Sequence, residues 1–284
     1  MKLIADSGST KTNWVLVKDS EVKQTICTIG LNPYFHTIES VITVIKNEVL
    51  PMVEVQHLTS IHFYGAGCSS EKPVSLIREA LERVFPDVFV EVEHDLLAAA
   101  RALCGQNPGL ASILGTGANT CYYDGKKMLK RVRALGFILG DEGSGSQMGK
   151  RFIQDYLHNE VPAEVQLLFN QDFNLTDADI HNSVYKSPMP NRFLASFAFY
   201  IIKHKNLPYF RELILSCFDD FLRKQILKFE ESRIYPLNAI GTIGYLNREL
   251  LEEAAAKYQI QVGLVIKDPI GNLIKFHYSQ ELHS

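Results

Sequence analysis

Long apolar runs are absent from this chain of 284 residues. No stretch approaches the length that a membrane span needs, and no apolar leader is recognisable before the first predicted strand. Basic blocks are absent too, because 29 basic and 32 acidic residues are interspersed and leave a net charge of -3. We therefore expect a soluble cytoplasmic protein with no membrane partner and no nucleic-acid partner.

Cysteine is scarce and scattered. The five cysteines occupy positions 27, 68, 104, 121 and 217, an odd number without a C-x-x-C pair. A disulfide framework or a zinc site would need paired spacing, so reduced thiols fit better. The nine histidines show no ligand spacing either. With 46% hydrophobic and 21% charged residues, the chain has a normal globular composition and enough length for two domains.

Short strands and helices alternate in the first third of the chain. The pattern predicts strands near 2–5, 13–17, 22–28, 57–64 and 88–92, and helices near 38–50, from Pro73 onward and from Asp95 onward. The segment from Gln106 to Gly109 is the best candidate for a boundary. We predict an N-terminal domain at 1–107 and a C-terminal domain at 108–284, whose end after about residue 268 could pack back on the first domain.

The same order then begins again. Strands are predicted near 111–114, 120–123 and 128–132, followed by a mostly helical block at 146–231 and by a strand, a helix and a strand at 237–241, 247–258 and 260–266. Both halves open with three strands, which indicates an internal duplication. The expected fold is α/β, with mixed sheets whose strand ends face a central cleft, where ligands of such folds bind.

Two turns rich in small and hydroxyl-bearing residues lie between short strands. One runs from Asp6 to Thr12 and the other from Gly115 to Thr120. Small residues let backbone N–H groups approach an anion, and hydroxyl groups add donors. A polar hairpin is the alternative, but a simple hairpin needs only about two turn residues. The pair of turns therefore predicts a polyphosphate site, although neither is a Walker A loop.

Carboxylates at strand ends are the next candidates. Asp6 ends a predicted buried strand, where its charge needs a partner, and hydrated Mg²⁺ is a natural one. Asp95 follows the apolar strand at 88–92 and opens a helix. Asp is a favoured N-cap residue, but a carboxylate there could also accept the proton of an attacking hydroxyl group.

Two glycine-containing loops are the last candidate ligand-binding motifs. The loop at 140–145 holds two adjacent acids among three glycines, more than a helix cap needs, which indicates a polar substrate. The turn at 241–244 follows a strand and precedes a helix, which suits a nucleotide.

Together these motifs resemble those of the actin/hexokinase/Hsp70 superfamily, and within it those of the N-acetylglucosamine kinase and BadF/BadG/BcrA/BcrD-type ATPase family. The similarity covers nearly the whole chain in order. Its segments are the turn at 6–12, the loop at 30–33, the glycines at 65 and 67, the His94-Asp95 pair, the turn at 115–119 and the long match at 135–145. The resemblance implies two ribonuclease-H-like domains of the actin-like ATPase type.

Carried over residue by residue, the resemblance implies an enzyme that uses ATP and Mg²⁺. Asp95 would be the catalytic base and Asp6 the metal residue. The ATP-binding residues would be Ser7, Gly8, Ser9, Thr10, Lys11, Thr12, Gly115, Thr116, Gly117, Gly241, Thr242 and Gly244. The substrate-binding residues would be Asn32, Gly65, Gly67, Cys68, Thr116, Asn119, Asp141 and Gly145. The sequence departs from the family where Ser7 and Ser9 replace two glycines, and the match at 241–244 is loose.

The reaction implied by the resemblance is phosphorylation of an amino sugar, first of all N-acetylglucosamine at its 6-hydroxyl group. N-acetylmuramate and glucosamine stay open as acceptors, as does a homodimeric state. A BadF-type ATPase that activates a reductase and a non-catalytic sensor of cell-wall sugars are the alternatives. The kinase is favoured because the cysteines lack the paired arrangement of a shared iron–sulfur cluster, and because Asp6 and Asp95 are both present.

Overall fold

Ten strands in two sheets form the β structure of residues 1–8 and 10–279, the part of the chain that the computed structural model describes. The strands of the first sheet are β1 (Lys2–Ser7), β2 (Lys11–Lys18), β3 (Glu21–Ile29), β4 (Ser60–Gly65) and β5 (Phe89–His94). Those of the second are β6 (Pro108–Leu114), β7 (Ala118–Asp124), β8 (Met128–Arg131), β9 (Leu237–Ile240) and β10 (Val262–Ile266).

Helices connect and cover the strands of each sheet. The helices up to the first boundary are α1 (Ile38–Val44), α2 (Glu71–Val84) and α3 (Asp95–Cys104). Those that follow β8 are α4 (Gly136–Leu139), α5 (Gly145–Leu157), α6 (Ala163–Asp172), α7 (Asp177–Tyr185), α8 (Pro190–Lys203), α9 (Pro208–Lys224), α10 (Thr242–Leu246), α11 (Arg248–Ala256) and α12 (Ile270–Ser279). None of the helices within the described residues is long and apolar enough to cross a membrane.

The two sheets have the same topology. Their strand orders are β3-β2-β1-β4-β5 and β8-β7-β6-β9-β10. In both, the first three strands pair antiparallel, and the last two join in parallel. Parallel neighbours need a crossover connection, which α2 supplies between β4 and β5. The repeated order confirms the predicted α/β fold with two similar halves.

Several predicted boundaries differ from the structure by a few residues. The helix predicted at 38–50 is divided into α1, a π-helical turn at Ile45–Val49 and a 3-10 turn at Leu50–Met52, because Pro51 has no N–H group with which to continue an α-helix. The strand predicted from residue 57 begins at Ser60, since residues 55–57 form a 3-10 turn. Helix α2 begins at Glu71, two residues before Pro73, with Ser70 as its N-cap.

The described chain divides into two compact units. Unit 1 comprises residues 1–106, residues 125–127 and the segment that starts at Pro269, and unit 2 comprises 107–124 and 128–268. Helix α12 therefore belongs to unit 1, where it packs against α3 and β1. The core of unit 1 contains Trp14 against Phe63, with ring centroids 5.6 Å apart. The core of unit 2 is built around buried aromatic rings, among them those of Phe152, Phe169, Phe197 and Phe210.

A buried polar network joins α12 to its neighbours in unit 1. The hydroxyl group of Tyr64 on β4 donates to Nε2 of His277 on α12 at 2.8 Å, and accepts a hydrogen bond from Arg101 on α3 at 2.6 Å. Arg101 also donates to Glu91 on β5 at 3.1 Å. The ring of His62 lies 3.9 Å from that of His277 and donates from Nδ1 to Glu91 at 2.7 Å. The network fixes α12 to two strands and a helix.

Candidate active site

Three parallel strands of unit 1 end side by side. Ser7 of β1 is paired with Gly65 of β4, and Gly65 is paired with His94 of β5. The segments that leave these strands therefore begin at one edge of the sheet, where ligands of α/β folds bind. They are the turn after Ser7, the loop at 66–70 and helix α3, which begins at Asp95.

The first of the two predicted phosphate-binding turns is closed by its own hydroxyl groups. Oγ of Ser7 and Oγ1 of Thr12 lie 2.7 Å apart, and both side chains are buried. Thr12 donates to the carbonyl oxygen of Ile29 at 3.0 Å, and the N–H group of Leu31 donates to Ser7 Oγ at 3.1 Å. These two hydroxyl groups thus attach the turn to the loop at 30–32, so their contacts are structural.

The tip of that turn holds the other predicted phosphate residues. The N–H group of Gly8 donates to the carbonyl oxygen of Lys11, and Thr10 accepts a hydrogen bond from the N–H group of Gly30, each at 3.0 Å. Lys11 is exposed and can bring a positive charge to an anion. Ser9 lies outside the described residues.

The candidate metal residue Asp6 is the last but one residue of β1. It is partly buried in β1, between Asn13 of β2 and Tyr64 of β4 in the sheet register. A carboxylate at such a strand end offers the oxygen ligands that Mg²⁺ prefers.

Four of the predicted substrate residues lie together in unit 1. The side chain of Asn32 is buried and accepts a hydrogen bond from the N–H group of Tyr34 at 3.0 Å. It lies against Gly67, where an added Cβ atom would be 2.5 Å from Asn32 Oδ1. Gly65 lies against Cys68 in the same way, since its Cβ would be 2.8 Å from the Cys68 sulfur. The two glycines therefore make room for the neighbouring side chains.

Asp95 is the first residue of α3, and its side chain is 28% exposed. The predicted N-cap role of Asp95 is wrong, because His94 is the N-cap residue and its ring accepts from the N–H group of Leu96. Burial, reinforced by the charges of Asp95 and Glu93, raises the pKa of the Cys68 thiol to about 12. In the sheet register, Gly65 is paired with His94, so helix α3 with the candidate base Asp95 and the candidate substrate loop at 66–70 leave neighbouring strands at the same edge.

The second predicted phosphate-binding turn, which begins at Gly115 in unit 2, is joined to the start of helix α5. The carbonyl oxygens of Gly115 and Thr116 accept hydrogen bonds from the N–H groups of Gly145 and Ser146, at 2.9 and 3.1 Å. These contacts satisfy two first-turn N–H groups that have no partner inside the helix. An added Cβ atom on Gly115 would meet nothing within 4 Å, so the turn borders open space.

Asp141 contacts the same turn. Its Oδ1 accepts a hydrogen bond from the N–H group of Ala118 at 3.1 Å, and its carboxylate lies against Gly117. Burial raises the pKa of Asp141, although the Ala118 hydrogen bond opposes this shift. Asn119, the neighbouring predicted residue, accepts a hydrogen bond from the N–H group of Thr120 at 3.0 Å.

The rest of the loop at 140–145 is held by α9 and by its C-cap residue, Gln225. Glu142 is buried and accepts a hydrogen bond from Gln225 at 3.2 Å. The side chain of Gln147 accepts from the N–H group of Gly143 at 2.7 Å and donates to Asp220 at 3.1 Å. Of the two adjacent acids, Glu142 therefore helps to hold the loop against the end of α9, whereas Asp141 contacts the turn that begins at Gly115.

A small pocket of unit 2 brings three predicted ligand-binding segments together. Its volume is about 90 Å³, and its walls are Gly115, Thr116, Gly145, Thr242, Ile243, Ala195 and Phe199. Ala195 and Phe199 come from α8 and were not among the predicted residues. Phe199 is 58% exposed, which is unusual for a large aromatic side chain on a core helix. Only the apolar spacing of α8 was visible in the sequence, and that spacing does not mark an outward-facing ring.

Gly241 and Gly244 pack on the strand that leads to the second turn. Gly241 has φ +123°, and a Cβ atom there would collide with the carbonyl oxygen of Leu114. A Cβ atom on Gly244 would lie 3.2 Å from the Leu114 side chain. Both glycines therefore let the turn at 241–244 approach the turn at 115–117 closely.

One cluster of possible metal ligands is occupied by other contacts. One ligand atom each from His62, Glu91 and His277 lies within 4.8 Å of the others. However, Glu91 is paired with Arg101, and Nε2 of His277 accepts from Tyr64. The guanidinium charge would oppose a cation, so we assign this cluster to the fold of unit 1.

Comparisons with solved structures agree with the two-domain α/β fold. No protein-family model and no curated protein matches the chain. Among solved structures, the putative N-acetylglucosamine kinase from Porphyromonas gingivalis is 39% identical, with a TM-score of 0.95 over 99% of this chain and 100% of that one.

Two more distant structures share the fold. The putative N-acetylglucosamine kinase from Chromobacterium violaceum is 15% identical, with a TM-score of 0.71 over 97% of this chain and 98% of that one. A glucokinase of the ROK family from Streptomyces griseus, solved with glucose and AMPPNP, is 13% identical, with a TM-score of 0.59 over 97% of each chain. The full-length similarity to the first of these three structures shows that the chain belongs to the N-acetylglucosamine kinase family, a group of ATP-dependent sugar kinases with the two-domain actin-like fold.

Proposed function

We propose that this sugar kinase transfers the γ-phosphoryl group of ATP to a hydroxyl group of an amino sugar, with the 6-hydroxyl group of N-acetylglucosamine as the acceptor. One observation carries the proposal. Asp95 follows His94, and the register partner of His94, Gly65, leads into the loop that packs Gly67 against Asn32, so base and loop leave the same strand edge of unit 1. The 39% identical relative that carries the name of an N-acetylglucosamine kinase supports the acceptor.

Each role in the reaction follows from side-chain chemistry. Asp95 accepts the proton of the attacking hydroxyl group as the new O–P bond forms. Asn32 and Asp141 bind sugar hydroxyl groups, together with the backbone near Gly65 and Gly145 and the polar groups of Thr116 and Asn119. Binding of the sugar positions its hydroxyl group for attack, so binding and reactivity are coupled.

The nucleotide is assigned to the two predicted phosphate-binding turns, which begin at Asp6 and at Gly115. The exposed Lys11 in the first turn offers a donor to phosphate oxygens, and the open space beside Gly115 in the second turn leaves room for them. The pocket beside Thr242 and Phe199 fits part of the nucleoside, since an exposed aromatic ring forms one wall. Asp6 would hold a hydrated Mg²⁺ ion, which neutralises phosphate charge when bound.

The proposal is tested with purified protein, ATP, Mg²⁺ and a panel of N-acetylglucosamine, N-acetylmuramate and glucosamine. We expect ADP release that depends on N-acetylglucosamine, and a sugar 6-phosphate identified by mass spectrometry and NMR. If another sugar of the panel is preferred, that sugar is the acceptor. Sugar-independent ADP release would favour an ATPase, and sugar binding without ADP release would favour a sensor.

A further inference from the structure

A chain of buried hydrogen bonds connects β6, β7 and the end of α9 to the loop at 140–145. Oγ of Ser112 on β6 lies 3.0 Å from Oγ1 of Thr120 on β7, and Thr120 donates to Oε1 of Gln225 at 2.9 Å. The amide nitrogen of Gln225 donates in turn to the carboxylate of Glu142 at 3.2 Å. All four of these residues are buried. The loop is therefore attached to the sheet through a side chain of α9.

The chemistry of these groups fixes the direction of every hydrogen bond in the chain. A carboxylate only accepts hydrogen bonds, so the NH₂ group of the Gln225 amide has to face Glu142. The amide oxygen then faces Thr120, whose hydroxyl group donates to it and accepts from Ser112. A reversed amide would place its oxygen against the carboxylate oxygen of Glu142, which is repulsive. Position 225 therefore needs a side chain that donates on one side and accepts on the other.

A direct contact joins the same loop to the same strand. Asp141, the residue before Glu142, accepts a hydrogen bond from the N–H group of Ala118 at 3.1 Å, and Ala118 lies two positions before Thr120 on β7. Asn119 lies between these two positions, and its side chain is on the opposite face of the strand from that of Thr120. The direct contact and the Gln225 bridge thus flank the two candidate sugar-binding residues of this region, Asn119 and Asp141.

We propose that Gln225 is a positioning residue for the sugar-binding side chains of Asn119 and Asp141. Its amide holds the loop against β7, so the spacing between the two side chains is fixed before the sugar arrives, which lowers the cost of binding. Gln225 is buried and acts only through Thr120 and Glu142. This inference rests on the proposed function, in which Asn119 and Asp141 bind the sugar.

The first test is Gln225→Glu in the full-length protein. The new carboxylate has the shape of the amide and can still accept from Thr120, but it cannot donate to Glu142. We expect the Kd for N-acetylglucosamine, measured by calorimetry, to rise by about tenfold or more. Gln154→Glu adds the same charge at an exposed position of α5 and is the matched control. An unchanged Kd in the Gln225 variant would overturn the inference.

A reciprocal exchange separates positioning from a general loss of stability. In the double variant Gln225→Glu, Glu142→Gln, the new amide at position 142 can donate to the new carboxylate at position 225, which still accepts from Thr120. The Kd for N-acetylglucosamine should return to within about threefold of the wild-type value. Thermal unfolding of both variants follows stability separately. If the double variant regains stability but binds the sugar as weakly as Gln225→Glu does, the inference is wrong.

A third measurement does not depend on any sugar. The ¹⁵N–¹H NMR signal of the Ala118 amide reports its hydrogen bond to Asp141. We expect this proton signal to move upfield in Gln225→Glu and to return in the double variant, because the loop leaves β7 and then regains its place. An unchanged Ala118 signal in Gln225→Glu would refute the inference. If the wild type binds no sugar of the panel, the proposed function fails, but the Ala118 signal still decides whether Gln225 positions Asp141.

Discussion

Gly67 leaves no room for a side chain beside Asn32. Its φ angle is +86°, and an added Cβ atom would lie 2.5 Å from Asn32 Oδ1. The Asn32 amide, in turn, is held by the N–H group of Tyr34. The side chain of Asn32, a candidate sugar-binding residue, can therefore keep its position only because residue 67 is a glycine.

The first prediction concerns this contact. Gly67→Ala should displace Asn32 and weaken sugar binding, because the new methyl group and the amide cannot occupy the same space. Backbone strain at positive φ should also lower the free energy of unfolding by about 1–2 kcal/mol. Gly105→Ala is the matched control, since Gly105 has φ +61° but nothing within 4 Å of the added atom. Sugar titration by calorimetry should separate the two variants, and equal sugar affinities would contradict the prediction.

The second prediction concerns the base. Asp95→Asn should lower kcat by about 10²–10⁴-fold, because the amide cannot accept the hydroxyl proton. Sugar binding should persist, since the amide has the shape of the carboxylate. Coupled-enzyme kinetics and calorimetry measure the two properties on one preparation. Asp19→Asn, in the exposed turn after β2, is the control. Near-normal turnover in the Asp95 variant would show that Asp95 is not the catalytic base.

The third prediction concerns Asp141. Asp141→Ala should weaken sugar binding and leave ATP binding nearly intact. Asp141 has φ +56°, which Asn tolerates better than Ala, so Asp141→Asn removes the charge with less backbone strain. Isothermal titration with each ligand distinguishes the two sites. Weaker ATP binding with unchanged sugar binding would assign Asp141 to the nucleotide site instead of the sugar site.

The fourth prediction concerns Phe199. Its exposed ring forms a wall of the pocket beside Thr242. Stacking of a base on an aromatic ring contributes about 1–3 kcal/mol, so Phe199→Ala should raise the KM for ATP by about tenfold or more. Tyr185→Ala removes a comparably exposed ring from α7 and is the control. An unchanged KM for ATP would show that the adenine base of ATP does not stack on Phe199.

The fifth prediction concerns pH and α12. Burial, reinforced by the positive charge of His62, lowers the pKa of His277 to about 3, from an ordinary value of 6.5. As the pH falls below 6.5, the unfolded chain binds this proton and the folded chain does not. The free energy of unfolding should then decrease by up to about 1.4 kcal/mol per pH unit.

The test compares urea unfolding at several pH values between 6.5 and 5. His277→Gln should have a flatter pH dependence than the wild type, and the exposed His57→Gln should not. Glu91 contributes at lower pH, because burial would raise its pKa but the His62 hydrogen bond and the charge of Arg101 lower it to about 2. The stabilisation from Glu91 is lost only as the pH falls through about 4.5 towards 2, so the chosen window isolates His277.

The succession of strands and helices along the chain and the main motifs could be predicted because they depend on local sequence, whereas the order of the strands within each sheet was not predicted. The apolar spacing around Asp6 and Leu114 marks two buried strands, and the small residues that follow mark two turns. The partners of buried polar groups could not be predicted in this way. The contact between Ser7 and Thr12, the cap formed by His94 and the contact of Asp141 with Ala118 depend on the exact backbone geometry.

Contacts between residues that are far apart in the sequence could not be predicted from sequence patterns either. Tyr64 and His277 are hydrogen-bonded although 213 positions separate them, and neither has an unusual sequence neighbourhood. Phe199 follows the apolar spacing of α8, and only the packing of the helix shows that its ring faces outward. Patterns indicate which residues are apolar, but not which of them the fold leaves uncovered.

Membership of α12 in unit 1 has a consequence for biosynthesis. All of the residues of unit 2 precede Pro269, whereas unit 1 also needs the helix that starts at Ile270. A ribosome therefore delivers the complete chain of unit 2 before it delivers that of unit 1, although unit 1 contains the first residue. Until then the Tyr64 hydroxyl group and the guanidinium group of Arg101 lack their His277 neighbour. We expect the first sheet to be the last part of the nascent protein to reach its final stability.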